Sequence, residues 1–268
     1  MPRYTTALTI AGSDPSGGAG LQADLKTFSA LGVYGTTAIV AIVDENTQGV
    51  YGVHPVPDPF VAGQIRSVLS DIGADAVKIG MLHSSELIRA VRDTLERYAI
   101  RNVVLDPVMV ATSGDKLLQD EAVETLRTEL IPRVRVITPN IPEAEILLGR
   151  KIDRQEELPE LAEALSCGGT VSVLLKAGHL ADEELVDVFY NAEKKSTLLL
   201  RSKRLQTRNT HGTGCTLSAA IATGLGYSVT AVVGLFAFSR KKSLLHFAKP
   251  TFRFKVLASA ATNGCSEM

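Results

Sequence analysis

From residue 6 to residue 227, short runs rich in Val, Ile and Leu alternate with longer amphipathic stretches. This alternation constrains the fold more than any other feature. Apolar runs of about four to eight residues between amphipathic helices describe strands covered on both faces. Such strands pair in parallel, because each must return over the sheet through a crossover helix. The pattern predicts strands over 6–11, 36–43, 76–79, 102–105, 135–138, 171–176 and 186–190, with 198–201 as an edge strand. Helices are predicted over 19–31, 58–72, 84–98, 120–130 and 216–225, with a shorter one near 144–148. The expected fold class is therefore α/β, a mostly parallel central sheet with helices on both faces in three layers. No internal repeat or linker interrupts the series, so one domain is expected.

Composition narrows the partners. The formal net charge is -1 and charged residues make up 21%, which gives no basic surface for nucleic acid or a membrane. Cys167, Cys215 and Cys265 are too few and too scattered for a disulfide framework or a zinc site. They suit a reducing compartment, and a cytoplasmic location is expected. The first eleven residues lack the apolar segment of a signal peptide, and no stretch reaches the roughly 18–20 apolar residues of a membrane span.

In sheets of this kind ligands bind beyond the carboxyl ends of the strands. Glycines and polar residues gather there. The sharpest group is Asn209-Thr210-His211-Gly212-Thr213-Gly214-Cys215, running into an apolar helix. Free N–H groups at a glycine-rich helix start form a nest for an anion and stabilise a phosphoryl group in transfer. A flexible loop with Thr213 as helix cap is the plainer reading. Cys215, at the same helix start, is placed where the helix dipole lowers a thiol pKa, so it is a candidate proton acceptor. It could equally be a small packed side chain. A second loop, Gly12-Ser13-Asp14-Pro15-Ser16-Gly17-Gly18-Ala19-Gly20, leads into a helix carrying Asp24. That carboxylate either meets a substrate hydroxyl or amine, or complements the helix dipole. A third group is Asp106, Asn140 and Glu143, oxygen donors suited to Mg²⁺ with phosphates, although Asn140 and Glu143 also read as a helix cap. Lys176 ends a strand within reach of such phosphates, or is simply solvated. The chain has no GxxxxGK[ST] P-loop and no GxGxxG fingerprint. Glycine turns, carboxylates and a lysine at one sheet edge together point to phosphoryl transfer.

The residues also carry a resemblance. Ala11-Gly-Ser-Asp-Pro-Ser-Gly-Gly-Ala-Gly-Leu-Gln-Ala-Asp-Leu-Lys26, Lys78-Ile-Gly-Met81, Asp106-Pro-Val-Met109, Thr138-Pro-Asn140 and His211-Gly-Thr-Gly-Cys215 resemble the hydroxymethylpyrimidine/phosphomethylpyrimidine kinases of thiamine biosynthesis. The match runs in order from about residue 6 to residue 226. It implies a ribokinase-like fold, ATP and Mg²⁺ as cofactors, and a homodimer. It also implies phosphorylation of 4-amino-5-hydroxymethyl-2-methylpyrimidine and then of its monophosphate. By motif, Gly12, Asp24, Met81 and Val108 would line the pyrimidine pocket, with Glu45 facing the 4-amino group. Gly212, Thr213 and Gly214 would form the anion hole, and Cys215 would be the base. Asp106, Asn140, Glu143, Lys176 and Thr210 would serve the ATP phosphates, with Asp106 and Glu143 on the metal.

Two departures stand out. Where that family commonly has Ala-Gln-Asn-Thr, this chain has Asp44-Glu45-Asn46-Thr47, and an ionised Glu45 accepts hydrogen bonds but donates none. Residues 229–268 also depart from the family's ending, with Arg240, Lys241, Lys242, Lys249, Arg253 and Lys255 against one acid, Glu267. The kinase domain is thus expected over 1–228, and 229–268 reads as an atypical tail, as a shifted reading frame would produce. The alternatives are a pyridoxal or pyridoxine kinase, and a pyrimidine-binding protein of impaired activity.

Overall fold

The computed structural model describes residues 4–109, 118, 120–207 and 209–227. The tail over 229–268 lies outside the described residues, as does Cys265. Ten strands and seven α-helices follow in order: β1 (Thr6–Ala11), α1 (Gly20–Ala30), β2 (Tyr34–Ile39), β3 (Ala41–Asn46), β4 (Gly49–Pro55), α2 (Asp58–Asp71), β5 (Ala76–Ile79), α3 (Ser85–Arg97), β6 (Val103–Leu105), α4 (Asp120–Thr125), β7 (Val136–Ile137), α5 (Ile141–Leu148), α6 (Leu158–Ala164), β8 (Ser172–Leu175), β9 (Glu184–Asn191), β10 (Ser196–Lys203) and α7 (Thr213–Tyr227). A π-helical turn over Leu126–Leu130 continues α4, so the predicted 120–130 helix is present with its last part widened.

Eight strands form one sheet in the order β10-β9-β8-β7-β6-β5-β1-β2. The six from β2 to β8 pair in parallel, and β9 and β10 close the far edge as an antiparallel hairpin. From β1 the chain first adds β2 on one side and later β5 on the other. The β1/β5 boundary is therefore a topological switch point, where crossovers leave in opposite directions and a crevice opens.

Two hydrophobic clusters lie on opposite faces of the sheet. Leu8, Ile10, Val77, Ile79, Val103, Leu105, Ile137, Val173 and Leu175 face the layer of α2 to α6. Ala7, Ala76, Val104, Val136 and Leu174 face α1 and α7 through Phe28, Ala219, Ile221, Ala222 and Leu225. Burying a side chain such as Phe28 contributes on the order of 2–3 kcal/mol. The three-layer α/β/α expectation holds.

One expected element divides. The single strand predicted over 36–43 is two strands: β2 stays in the main sheet, and β3 leaves it to pair antiparallel with β4. This hairpin stands at the sheet's edge. Its inner face carries Ala41, Val43 and Glu45, and its outer face carries the exposed Ile42, Asp44 and Asn46. A continuous apolar run from residue 38 to residue 43 hid the turn, because Val40 and Ala41 are buried on either side of it. Among the described residues no helix is long and apolar enough to cross a membrane.

Candidate active site

Side chains alternate across a strand, so every second residue shares a face. On the α1/α7 face, Ala7, Ala76, Val104, Val136 and Leu174 are apolar, and the next residue on that face is polar in each strand. These are Thr9, Lys78, Asp106, Thr138 and Lys176. The sheet thus ends in a polar row at its carboxyl edge, beneath the starts of α1 and α7.

The row is wired in two parts. Lys78 Nζ lies 2.8 Å from Asp24 Oδ2, which also accepts from Thr9 Oγ1 at 2.5 Å. Lys78 and Asp24 are both fully buried, and Asp24 Oδ1 has no hydrogen-bond partner. Burial pushes the Asp24 carboxyl up against the opposing pull of Lys78. Burial works to lower the Lys78 ammonium, but Asp24 outweighs it and holds the group above its ordinary value. Asp24 is therefore enclosed beneath the site, paired with Lys78 and Thr9. At that depth the carboxylate neutralises Lys78.

In the second part Lys176 Nζ lies 3.1 Å from Asp106 Oδ1, which also accepts from Thr138 Oγ1 at 2.8 Å. Ser218 of α7 donates to Asp106 Oδ2 at 3.4 Å. Burial works to raise Asp106, yet Lys176 and Lys78 hold it below the usual carboxylate range. Lys176 keeps some exposure and stays charged: Asp106 and Glu143 overcome its desolvation. Glu143 is pushed up to about 7 by burial and by the charge of Asp106, against the pull of Lys176. Asn140 Oδ1 accepts from Glu143 N–H, and Glu143 Oε2 from Asn140 N–H, so the plainer reading of a capping box at α5 is realised in its bonds.

Directly above this pair sits the start of α7. Thr216 N–H donates to the Gly212 carbonyl as the helix's first internal bond, which makes Gly212 the cap. Thr213 N–H turns back to the Thr210 carbonyl. Gly214 and Cys215 then point N–H groups outward without intrahelical acceptors. Gly212 has φ of 73°, and a Cβ there would lie 1.7 Å from the Gly18 carbonyl oxygen. A Cβ on Gly214 would lie 3.3 Å from Asp106 Oδ2 and 3.6 Å from Lys176 Nζ, so the nest rests on that ion pair. Thr213 is exposed and places its hydroxyl on the Thr210 carbonyl.

Cys215 departs from expectation. The helix start does not lower its thiol: burial pushes it up to about 11, Lys78 pulls the other way, and Asp24 and Asp106 add to the rise.

Beside the nest, at the switch point, Met81 and Val43 close around Gly12. A Cβ on Gly12 would lie 3.4 Å from Met81 Cε and 3.5 Å from Val43 Cγ2. Val108, partly exposed, follows the β6 end. Glu45 lies along the inner face of β3 beyond Val43, half-buried, and is raised by burial and by Asp14, with His211 opposing.

The structure thus brings Gly12 and Met81 together, while Val108 follows the β6 end and Glu45 lies on β3 near Asp14 and His211. Gly214, Cys215, Asp106, Glu143 and Lys176 meet at the adjoining nest. Reading the sequence missed Thr9, Thr138, Ser218 and the ionic roles of Lys78 and Asp14. For Thr9, Lys78 and Thr138 the signal was available in the period of two, as polar residues following the apolar positions of the same sheet face; Ser218 on α7 and Asp14 in the loop after β1 carry no such signal.

The sequence profile described as phosphomethylpyrimidine kinase matches residues 14–233. A hydroxymethylpyrimidine/phosphomethylpyrimidine kinase of Escherichia coli (strain K12) is 53% identical over 217 residues, covering 81% of each chain. One from Rhizobium meliloti (strain 1021) is 50% identical over 243 residues, covering 90% of this chain and 89% of the relative. Among solved structures, a phosphomethylpyrimidine kinase from Clostridium difficile 630 superposes with a TM-score of 0.77 at 42% identity, covering 88% of this chain and 98% of that one. Bacillus subtilis pyridoxal kinase, solved as an ADP complex, gives 0.79 at 38% identity over 89% of each chain. With the profile spanning most of the sequence and the site's motifs in place, the chain belongs to the phosphomethylpyrimidine kinase family.

Proposed function

We propose that residues 1–228 phosphorylate the hydroxymethyl oxygen of 4-amino-5-hydroxymethyl-2-methylpyrimidine with ATP, and then the resulting monophosphate, supplying the pyrophosphate for thiamine biosynthesis. The observation that carries this reading is the pair of outward N–H groups of Gly214 and Cys215 seated on the Asp106–Lys176 pair. Phosphoryl transfer passes through a loose transition state with charge spread over the equatorial oxygens, and the protein's task is to position and neutralise it. The two N–H groups aim at such oxygens, and Lys176 adds a fixed positive charge beside them.

The aminopyrimidine is assigned to Gly12, Val43, Met81 and Val108. Glu45 accepts from its amino group, which an ionised carboxylate does well. Cys215 stands at the nest as the acceptor of the hydroxyl proton in its thiolate form, which becomes the thiol as the substrate oxygen attacks. Among the described residues no group of three or more His, Cys, Asp or Glu forms a metal cage. Two carboxylates, Asp106 and Glu143, share one buried corner, and Glu143 is raised by burial and by the charge of Asp106. That donor set fits Mg²⁺, which arrives with phosphates and uses one or two carboxylates. Asp106 and Glu143 would hold it, and when bound it supplies neutralisation of phosphate charge. Asn140 and Thr210 are assigned to the nucleotide side. A homodimer in the cytoplasm completes the proposal.

The test is coupled ATP turnover by the full chain with the hydroxymethylpyrimidine and with pyridoxal in parallel. Likeness to solved pyridoxal kinases makes pyridoxal the informative competitor. A higher kcat/KM for the pyrimidine is expected; preference for pyridoxal would reassign the substrate, and turnover of neither would remove the kinase reading.

A further inference from the structure

One side-chain contact joins the two glycine loops across 197 residues of sequence. Asp14, fully buried after β1, accepts at Oδ1 from Ser16 N–H at 2.7 Å, and at Oδ2 from Gly18 N–H at 3.0 Å and Ala19 N–H at 2.6 Å. Its own N–H donates to Gln22 Oε1 at 2.8 Å, so loop 14–19 is tied around this one carboxylate. The fourth partner comes from elsewhere: His211 Nε2 lies 2.8 Å from Asp14 Oδ2. Burial works to raise Asp14, but the bonds from Ser16, His211 and Ala19 prevail and hold it at about 2, so it is an anion at any working pH.

The contact is closely fitted. A Cβ on Gly18 would lie 2.7 Å from His211 Cδ2, and Gly212 touches the Gly18 carbonyl backbone to backbone. His211 is the residue before the cap of α7, so its ring fixes where Gly214 and Cys215 sit relative to Gly12. A shift of about 1 Å between reacting groups costs on the order of 10²-fold in rate. Nothing in the chemistry of transfer requires an imidazole at this point, where its ring meets Asp14 and lies against Gly18.

We propose that His211 is a positioning residue that latches the anion nest to the acceptor loop through Asp14, so that the accepting hydroxyl and the transferring phosphate are held at one distance. The inference rests on the phosphotransfer reading. It separates His211 from Asp14 in a testable way, because Asp14 also organises its own loop and His211 does not.

The experiment uses the full chain as wild type, His211→Ala, His211→Gln, Asp14→Ala and the double variant Asp14→Ala/His211→Ala. For His211→Ala, kcat with the pyrimidine should fall about 10- to 100-fold, while pyrimidine affinity without ATP stays within about twofold, because Asp14 keeps its three N–H donors. His211→Gln, whose amide N–H can reach Asp14, should recover most of kcat. Asp14→Ala should weaken both affinity and kcat, and the double variant should be no slower than Asp14→Ala alone, since both changes cut one contact. Unchanged kcat in His211→Ala, equal loss of affinity and kcat, failure of Gln to rescue, or multiplying losses in the double variant would each overturn the latch. If wild type itself turns over neither pyrimidine nor pyridoxal, the phosphotransfer reading fails, and amide hydrogen exchange decides the latch. His211→Ala must then speed exchange at residues 212–215 while the amides of Ser16, Gly18 and Ala19 stay protected; equal protection in both loops overturns it.

Discussion

Replacing Lys78 with Met would leave Asp24 without its cation in a fully buried position. The remaining partner is the Thr9 hydroxyl, and Oδ1 has none. An unpaired carboxylate at such depth sheds its charge by taking a proton. From an ordinary value of 3.8, protonation at pH 7 spans 3.2 pH units, or about 4 kcal/mol at 1.36 kcal/mol per unit. That falls within the roughly 3–5 kcal/mol expected when one partner of a buried pair is removed. At pH 5 the same step spans 1.2 units and costs about 2 kcal/mol. The Lys78→Met penalty relative to wild type should therefore shrink between the two pH values by at most about 3 kcal/mol, less the part by which wild-type Asp24 is itself raised. The chain has no tryptophan, so urea unfolding followed by far-UV circular dichroism is the suitable assay. The double variant Asp24→Leu/Lys78→Met, which removes both charges, should return to within about 2 kcal/mol of wild type. A penalty that does not change with pH, or a double variant as unstable as the single, would refute the account of Asp24 as a carboxylate held only by Lys78.

Three further outcomes follow from the site. If the thiol pushed up to about 11 must lose its proton to act, kcat should rise with pH across 7 to 9, and Cys215→Ala should lower kcat by about 10²-fold and flatten the profile; a flat wild-type profile would leave Cys215 a spatial role only. Glu143, raised from 4.5 to about 7, favours folding fully below its unfolded value, and that contribution is lost as pH rises through about 7. Mg·ATP affinity should run the opposite way, tightening as pH rises through that range, and titration of Glu143→Gln should show both dependences weakened. Gly212→Ala would drive a methyl group into the Gly18 carbonyl at a left-handed φ, and steady-state kinetics should show kcat lowered by about 10²-fold or more.

The sheet was legible because its strands are apolar on both faces, and β1 and β5 fall within the bounds their apolar runs predict. The hairpin was not. The turn between β2 and β3 has no glycine, proline or asparagine to mark it, and only tertiary packing of Val40 and Ala41 decides it. The nest was legible from its glycines, whereas the chemical state of Cys215 was not. A helix dipole can be read from position along the chain, but the depth that overrides it cannot. Asp24 is similar: its place on α1 was foreseeable, and the lysine 54 residues later that pairs with it was not. Asp14 and His211 were both in quoted motifs, yet their bond joins segments whose proximity only the switch-point topology creates.

The position of α7 has a consequence for synthesis of the chain. This helix lies across the middle of the sheet, against Ala7, Ala76 and Val104, and brings the nest with it. A ribosome delivers residues at roughly 5–20 per second, amino terminus first. A nascent chain whose last emerged residue precedes Thr213 holds every strand but exposes the centre of one sheet face, together with the polar row of Lys78, Asp106 and Lys176. During that interval the ion pairs, all made by residues before α7, lie open to water, and the apolar patch beside them is open to other chains. Completion of α7 both covers the patch and brings the nest onto the ion pairs, so protection from aggregation and assembly of the anion nest arrive in the same step.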